Sequence, residues 1–351
     1  MGQSTVLRPT APYLSQAGTP PSRPALTQPG VGPSRPGFSQ PGASMSRSVF
    51  ARSWVVPGSG PLPPVAPTRA DPRTVVLPPL SDTVARAAAL ANDPDACLAD
   101  FAALVRGDPA VTALLMKRAN SAACGGNVTD VRQAVTMLGL RACSQLAASV
   151  GMRDLLRHVP PAVAMRCEAV LRHSLLVAHV ASYLNKVAGT GFAGEEFVAG
   201  LLHDVGRVLL AMRMPDAVVA ADPLDFDEGP DRRAGEKTLL GTDHCAAGAE
   251  FAAASRLSPA VVRAILRHHE PFEETGEHRR LTALVAVADH LVNYAQRTRR
   301  VADYEPWSGF GYAVLSESWP AERHDRFLEA LPDAVVAALR ETRHTLRDGA
   351  E

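Results

Sequence analysis

The sequence predicts an all-α protein, a helical body preceded by a disordered tail. Beyond Leu77 the chain is rich in Ala and Leu, and the alternating β-branched pattern of strands is nearly absent. Its breaks have the chemistry of helix ends: Asp93-Pro94, Gly107-Asp108-Pro109, Gly125-Gly126-Asn127 and Gly139. Composition divides the 351 residues in two: residues 1–70 hold 14 of the 29 prolines and six arginines, but no Asp, Glu or Lys.

Residues 1–76 form the expected tail, with near-repeats at Gln28-Pro29-Gly30 and Gln40-Pro41-Gly42. Proline removes backbone donors and there are few aliphatics to bury, so ordering entropy is not offset. A polyproline ligand is the sharper reading of the same residues, and the linker reading is preferred. Pro78-Pro79 ends the tail, and Ser81-Asp82 is an N-cap signal. Helices are expected over 81–92, 98–106, 109–121, 130–137 and 139–151. After Pro160-Pro161 a second half carries helices over 162–188, 195–212, 243–254, 259–269 and 280–298. A Pro/Asp-rich loop is expected over 215–241. The domain is expected to span 77–295, dividing at 159/160, with 296–351 as a C-terminal extension. That extension has Trp307, Tyr312 and Trp319 and an amphipathic helix from Asp333 to about Arg347, and reads as packing against the body.

The zero net charge is +6 on the tail and −6 on the body, and a body of that sign argues against a nucleic-acid surface. Arg297, Arg299 and Arg300 close a helix whose C-terminal end favours cations anyway. Five cysteines without paired short spacing exclude a disulfide framework and a zinc ribbon, and suit a reducing cytoplasm. No apolar run approaches the ~18 residues of a membrane span. A cytoplasmic protein without membrane or direct nucleic-acid partners is expected.

The eleven histidines sort by helical face. His158, His278, His324 and His344 sit in a loop or among charges. His179 shares a stripe with Tyr183 and Lys186, read as the wet face, and His290 one with Tyr294. His173 aligns instead with Val177, Val180 and Leu184, and so points to the core. His244 aligns with Gly248 and Phe251. His268 and His269 end a helix with Val261 and Ile265 inside, and His203 sits between Leu201-Leu202 and Val205. Asp204 follows it, and Asp289 faces inward between Val285 and Val292. A buried carboxylate without a partner is expensive. Five inward imidazoles and two inward carboxylates explain one another if they converge on a divalent cation such as Mn, Fe, Zn or Mg. No organic cofactor is expected.

Leu202-His203-Asp204-Val205-Gly206 resembles the signature of the HD superfamily of helical metal-dependent phosphohydrolases. His173 matches its preceding histidine and Asp289 its closing aspartate. His244 and His268-His269 match the extra histidines of two-metal sites. Leu77-Pro78-Pro79-Leu80, Asp108-Pro109-Ala110, Ala119-Asn120-Ser121 and Ala134–Leu140 resemble the opening of the HDOD domain, the HD-related output domain of bacterial signalling proteins. The resemblance covers about 77–295. It implies a regulatory or output module that binds a signalling partner or a small nucleotide ligand, with the metal as a staple. The alternative it carries is a metal-dependent phosphohydrolase acting on a nucleotide or cyclic dinucleotide, with Asp204 at the metal and Arg207 steadying substrate phosphate. The sequence departs from catalytic relatives in lacking Gly-Tyr-Pro after His269-Glu270, and in having Arg207 where many have Lys.

Overall fold

A computed structural model describes residues 80–93, 95–121, 128–227 and 230–348. The tail expected over 1–76 lies outside the described residues. Among those residues every regular element is helical. The first half comprises α1 (Asp82–Asn92), α2 (Leu98–Arg106), α3 (Pro109–Ala119) and α4 (Val131–Leu156). Asp108 caps α3 by accepting from the Ala110 and Val111 amides at 3.0 and 3.1 Å, with Pro109 in the first turn, where its missing donor costs nothing. Asp130 caps α4 in the same way. The break expected at Gly139 is present as a left-handed residue (φ 79°), and the helical stretch beyond it runs to Leu156 rather than 151. These helices bury Phe101, Val105, Leu115, Val135 and Ala147 against one another, each large side chain contributing about 1.5–3 kcal/mol.

The second half opens with α5 (Ala164–Ala188) and α6 (Glu195–Leu202). The helix expected over 195–212 is two: it stops at His203-Asp204 and restarts as α7 (Val205–Arg213). The loop expected over 215–241 also needs correction, since it holds α8 (Pro215–Ala221) and α9 (Pro230–Leu240). Both begin on a proline, tolerated at a first helical position, so prolines that read as loop residues are helix starts. Next come α10 (His244–Ala254), α11 (Pro259–Arg267), α12 (Arg279–Thr298) and α13 (Phe310–Ser316). The final helix, α14 (Ala321–Asp348), starts twelve residues before the expected Asp333 and runs through Pro332. Its apolar face, with Phe327, Leu331, Val335 and Leu339, closes a core shared with α5 and α12.

Two ion pairs tie the first half to the rest of the chain. Glu196 at the start of α6 is fully buried, paired with Arg141 of α4 at 3.0 Å and bonded by Ser182 Oγ and the Gly194 amide. Arg118 of α3 reaches Glu341 of α14 at 2.9 Å.

Candidate metal centre

Five helix segments deliver the seven inward residues to one place. His173 comes from the middle of α5, His203 and Asp204 from the α6–α7 break, and His244 from the first position of α10. His268 and His269 follow α11, and Asp289 comes from α12. The break exists because Gly206 lets α7 press on the start of α10. A Cβ there would lie 1.8 Å from the His244 carbonyl oxygen.

Asp204 is the hub. Its Oδ2 lies 3.5 Å from His203 Nε2 and 3.9 Å from His173 Nε2, and its Oδ1 lies 3.5 Å from His244 Nε2 and 3.9 Å from His268 Nε2. Asp289 Oδ1 is 3.1 Å from His173 Nε2 and 3.5 Å from His203 Nε2. His244 Nε2 faces His269 Nε2 at 3.0 Å.

The rings are oriented from behind. Nδ1 of His203 meets the Gly200 carbonyl and Nδ1 of His268 the Ile265 carbonyl, both at 2.8 Å. His244 Nδ1 meets Glu236 and His173 Nδ1 meets Gln296 Oε1, both at 2.7 Å. Carbonyl oxygens accept, so Nδ1 of His203 and of His268 carries the hydrogen and Nε2 turns inward, as in metal-binding imidazoles, whereas His173 has acceptor oxygens at both nitrogens, Gln296 Oε1 and Asp289 Oδ1. Phe226 stacks on His173 with centroids 5.3 Å apart.

The residues fit a divalent cation. His203 Nε2, His268 Nε2 and Asp204 Oδ1 are buried without a hydrogen-bond partner, a cost that a cation would remove. Donor atoms of His173, His203 and Asp204 lie within 4.8 Å of one another, as do those of His203, His268 and Asp289 and those of His244, Cys245, His268 and His269. Burial and the charges around it push His268 down to about 3 and His269 well below the ordinary histidine range, keeping both in the neutral form that ligates. Burial opposes charge on Asp204, but the Arg207 guanidinium beside it holds its carboxyl well below the usual range.

Arg207 differs from its expected role at a substrate phosphate. It is buried, with Nε 2.9 Å from Asp204 and Nη1 2.9 Å from Asp222, and Asp222 also pairs with Arg166 at 3.4 Å. A guanidinium between two carboxylates positions Asp204 rather than a ligand. His179, read as facing water, is part-buried, its ring edge-on to Phe197 at 5.1 Å and its Nε2 enclosed without a partner. Phe197 of α6 covers it, which the periodicity of α5 could not reveal.

A cavity of about 590 Å³ opens onto His268, His269 and Asp289. Arg233, Lys237 and Arg297 line it, as do Phe272 and Phe310, whose rings meet edge to face at 5.4 Å. The 296–351 extension therefore contributes to the site through residues 308–311, beyond its expected packing role. Sequence reasoning also passed over Glu236, hidden in a presumed loop, and Gln296, which follows Asp289 by seven residues and so shares its helical face. Cys245, one of five cysteines without paired short spacing, carries no metal-site signal in the sequence by itself.

The family pattern of the HDOD domain matches residues 77–271, more than half of the chain. The chain belongs to the HDOD family. An HDOD domain protein of unknown function from Geobacter sulfurreducens superimposes with a TM-score of 0.62 at 24% identity, covering 77% of this chain and 93% of that one. A Shewanella amazonensis SB2B protein whose name proposes a phosphohydrolase gives 0.53 at 22% identity, over 77% and 95% of the two chains. A Marinobacter aquaeolei VT8 protein whose name proposes signal transduction gives 0.53 at 21%, over 76% and 60%. These are likenesses of fold. An uncharacterized Treponema pallidum protein is 25% identical over 206 residues, 58% of this HDOD chain and 39% of that protein, so the chain spans about two fifths of its relative. Among the described residues no helix is long and apolar enough to cross a membrane.

Proposed function

We propose that this HDOD chain hydrolyses phosphoesters at a divalent-metal centre held by His173, His203, Asp204, His244, His268, His269 and Asp289. The observation that carries the reading is the inward orientation of the Nε2 atoms, with one side of the cluster open to the cavity. That opening leaves a side of the cluster from which water or substrate can reach a bound ion. A bound divalent ion supplies an activated water and polarises a phosphoryl oxygen. Arg207 keeps Asp204 ionised, Glu236 and Gln296 hold the rings of His244 and His173 in place, and the cavity cations attract phosphate. The test is turnover of bis(p-nitrophenyl) phosphate by protein loaded with Mn(II), Fe(II) or Zn(II). Activity that disappears in folded His203→Ala and Asp204→Asn supports the reading, and stoichiometric metal without turnover overturns it.

One observation favours the regulatory reading. Each cavity cation is already paired: Arg233 with Asp243 and Glu270, Lys237 with Asp243, and Arg297 with Asp227. Shared cations grip phosphate weakly, which suits a module that senses a ligand and passes the signal to a protein partner. In that case signalling output survives Asp204→Asn as far as the fold does.

A further inference from the structure

The centre is chemically lopsided. Around His173, His203, Asp204 and Asp289 the donors are imidazole nitrogen and carboxylate oxygen. On the other side Cys245 joins His244, His268 and His269, with one donor atom from each within 4.8 Å of the others. Cys245 is fully buried and is not in a disulfide. His268, 2% exposed, brings its unpartnered Nε2 into the same group. Cys245 is also the second residue of α10, directly after His244, so one helix start supplies two of the four donors.

We infer that Cys245 is a thiolate ligand of the second metal position, which makes that position selective for a thiophilic divalent ion such as zinc. The inference rests on the metal-centre reading above and deepens it. Three imidazoles and one thiolate are a tetrahedral zinc set, in which donors stand roughly 3.3–3.8 Å apart at ordinary zinc–nitrogen and zinc–sulfur lengths. Donors that lie within 4.8 Å of one another, with the His244 and His269 Nε2 atoms at 3.0 Å, reach that spacing through side-chain shifts of about one ångström or less. On binding, the Sγ–H bond breaks, its proton leaves to solvent, and the sulfur pair forms the bond to the metal, with no change of oxidation state. Hard ions such as Mg and Mn gain little from sulfur, so the carboxylate-rich position suits them better. The two positions therefore rank metals differently.

The experiment is titration of chelator-treated full-length protein with Co(II), followed by absorption. Cobalt d–d bands report occupancy, and a near-ultraviolet thiolate-to-cobalt band reports sulfur ligation. The charge-transfer band is expected in the unaltered protein and in Cys97→Ser, and is lost in Cys245→Ser and Cys245→Ala while helicity persists. Zinc affinity falls about ten-fold or more in both Cys245 variants, whereas Mn(II) affinity changes less than three-fold. Cobalt d–d bands without the charge-transfer band overturn the inference and leave the metal centre standing. A charge-transfer band that survives both Cys245 variants overturns it too. Absence of all cobalt bands overturns the metal centre and the inference with it.

Discussion

His244 and His269 point their Nε2 atoms at each other across 3.0 Å. Glu236 accepts the Nδ1 hydrogen of His244, which aims the other ring nitrogen at His269. The arrangement is settled by a hydrogen on either ring or by a cation held between them, and a cation also serves His268 and Asp204. Loaded protein should therefore unfold at a higher temperature than chelated protein, by about 2.7 kcal/mol when metal is 100-fold above its dissociation constant. Asp204→Asn should remove most of that gain, and His344→Ala, at an exposed position, should keep it. Elemental analysis alongside melting curves decides the matter, and equal metal in both variants would show the hub to be misassigned.

Removing Arg207 strands two carboxylates. Arg207→Met leaves Asp204 and Asp222 with less compensation inside the protein and should cost about 3–5 kcal/mol. Arg207→Lys keeps the charge but cannot span both partners, so its loss should be smaller. Urea unfolding of the chelated proteins measures both, and a loss below about 1 kcal/mol for Met would mean the acids find other partners.

The same substitution should act in opposite directions at two glycines. Gly206→Ala drives a methyl into the His244 carbonyl, backbone against backbone, and should cost about 3 kcal/mol or more, with loss of metal. Gly235→Ala in α9 meets nothing within 4 Å and should stabilise by up to about 1 kcal/mol through helix propensity. Thermal melts of the two variants should bracket the parent protein.

His179 should make the protein acid-sensitive. Burial, with the nearby charge of Arg118, pushes its imidazole down to about 4 from an ordinary 6.5. Between those values the unfolded chain binds a proton that the folded chain refuses. Stability is therefore complete above pH 6.5 and lost as pH falls toward 4, by about 1.4 kcal/mol per unit. His179→Leu should flatten that slope, read as a smaller difference between urea midpoints at pH 7 and pH 5. An unchanged slope would place the titration elsewhere.

The ligand-bearing helices were legible because each inward residue keeps register with aliphatics: His173 with Val177 and Val180, Asp289 with Val285 and Val292. What escaped were features set by other parts of the chain. Leu201 to Leu210 has uninterrupted helical periodicity, so nothing local announces the stop at His203-Asp204, which follows from the close approach of α10 at Gly206. Glu236 sits in a polar stretch whose own pattern is that of a solvated segment, and only its partner His244 gives it a reason to be buried. Phe272 and Phe310, 53% and 67% exposed, look like core residues by composition alone.

The buried pair of Arg141 and Glu196 has a mechanical consequence. Glu196 fixes one end of α6 to the first half of the domain, and His203 stands immediately past the other end. Eight helical residues span about 12 Å and form a rod too short to bend. A displacement of α4 is thus delivered to the imidazole with little attenuation. The first half of the domain holds a handle on the cluster, and a metal seated there would resist being pushed from that side.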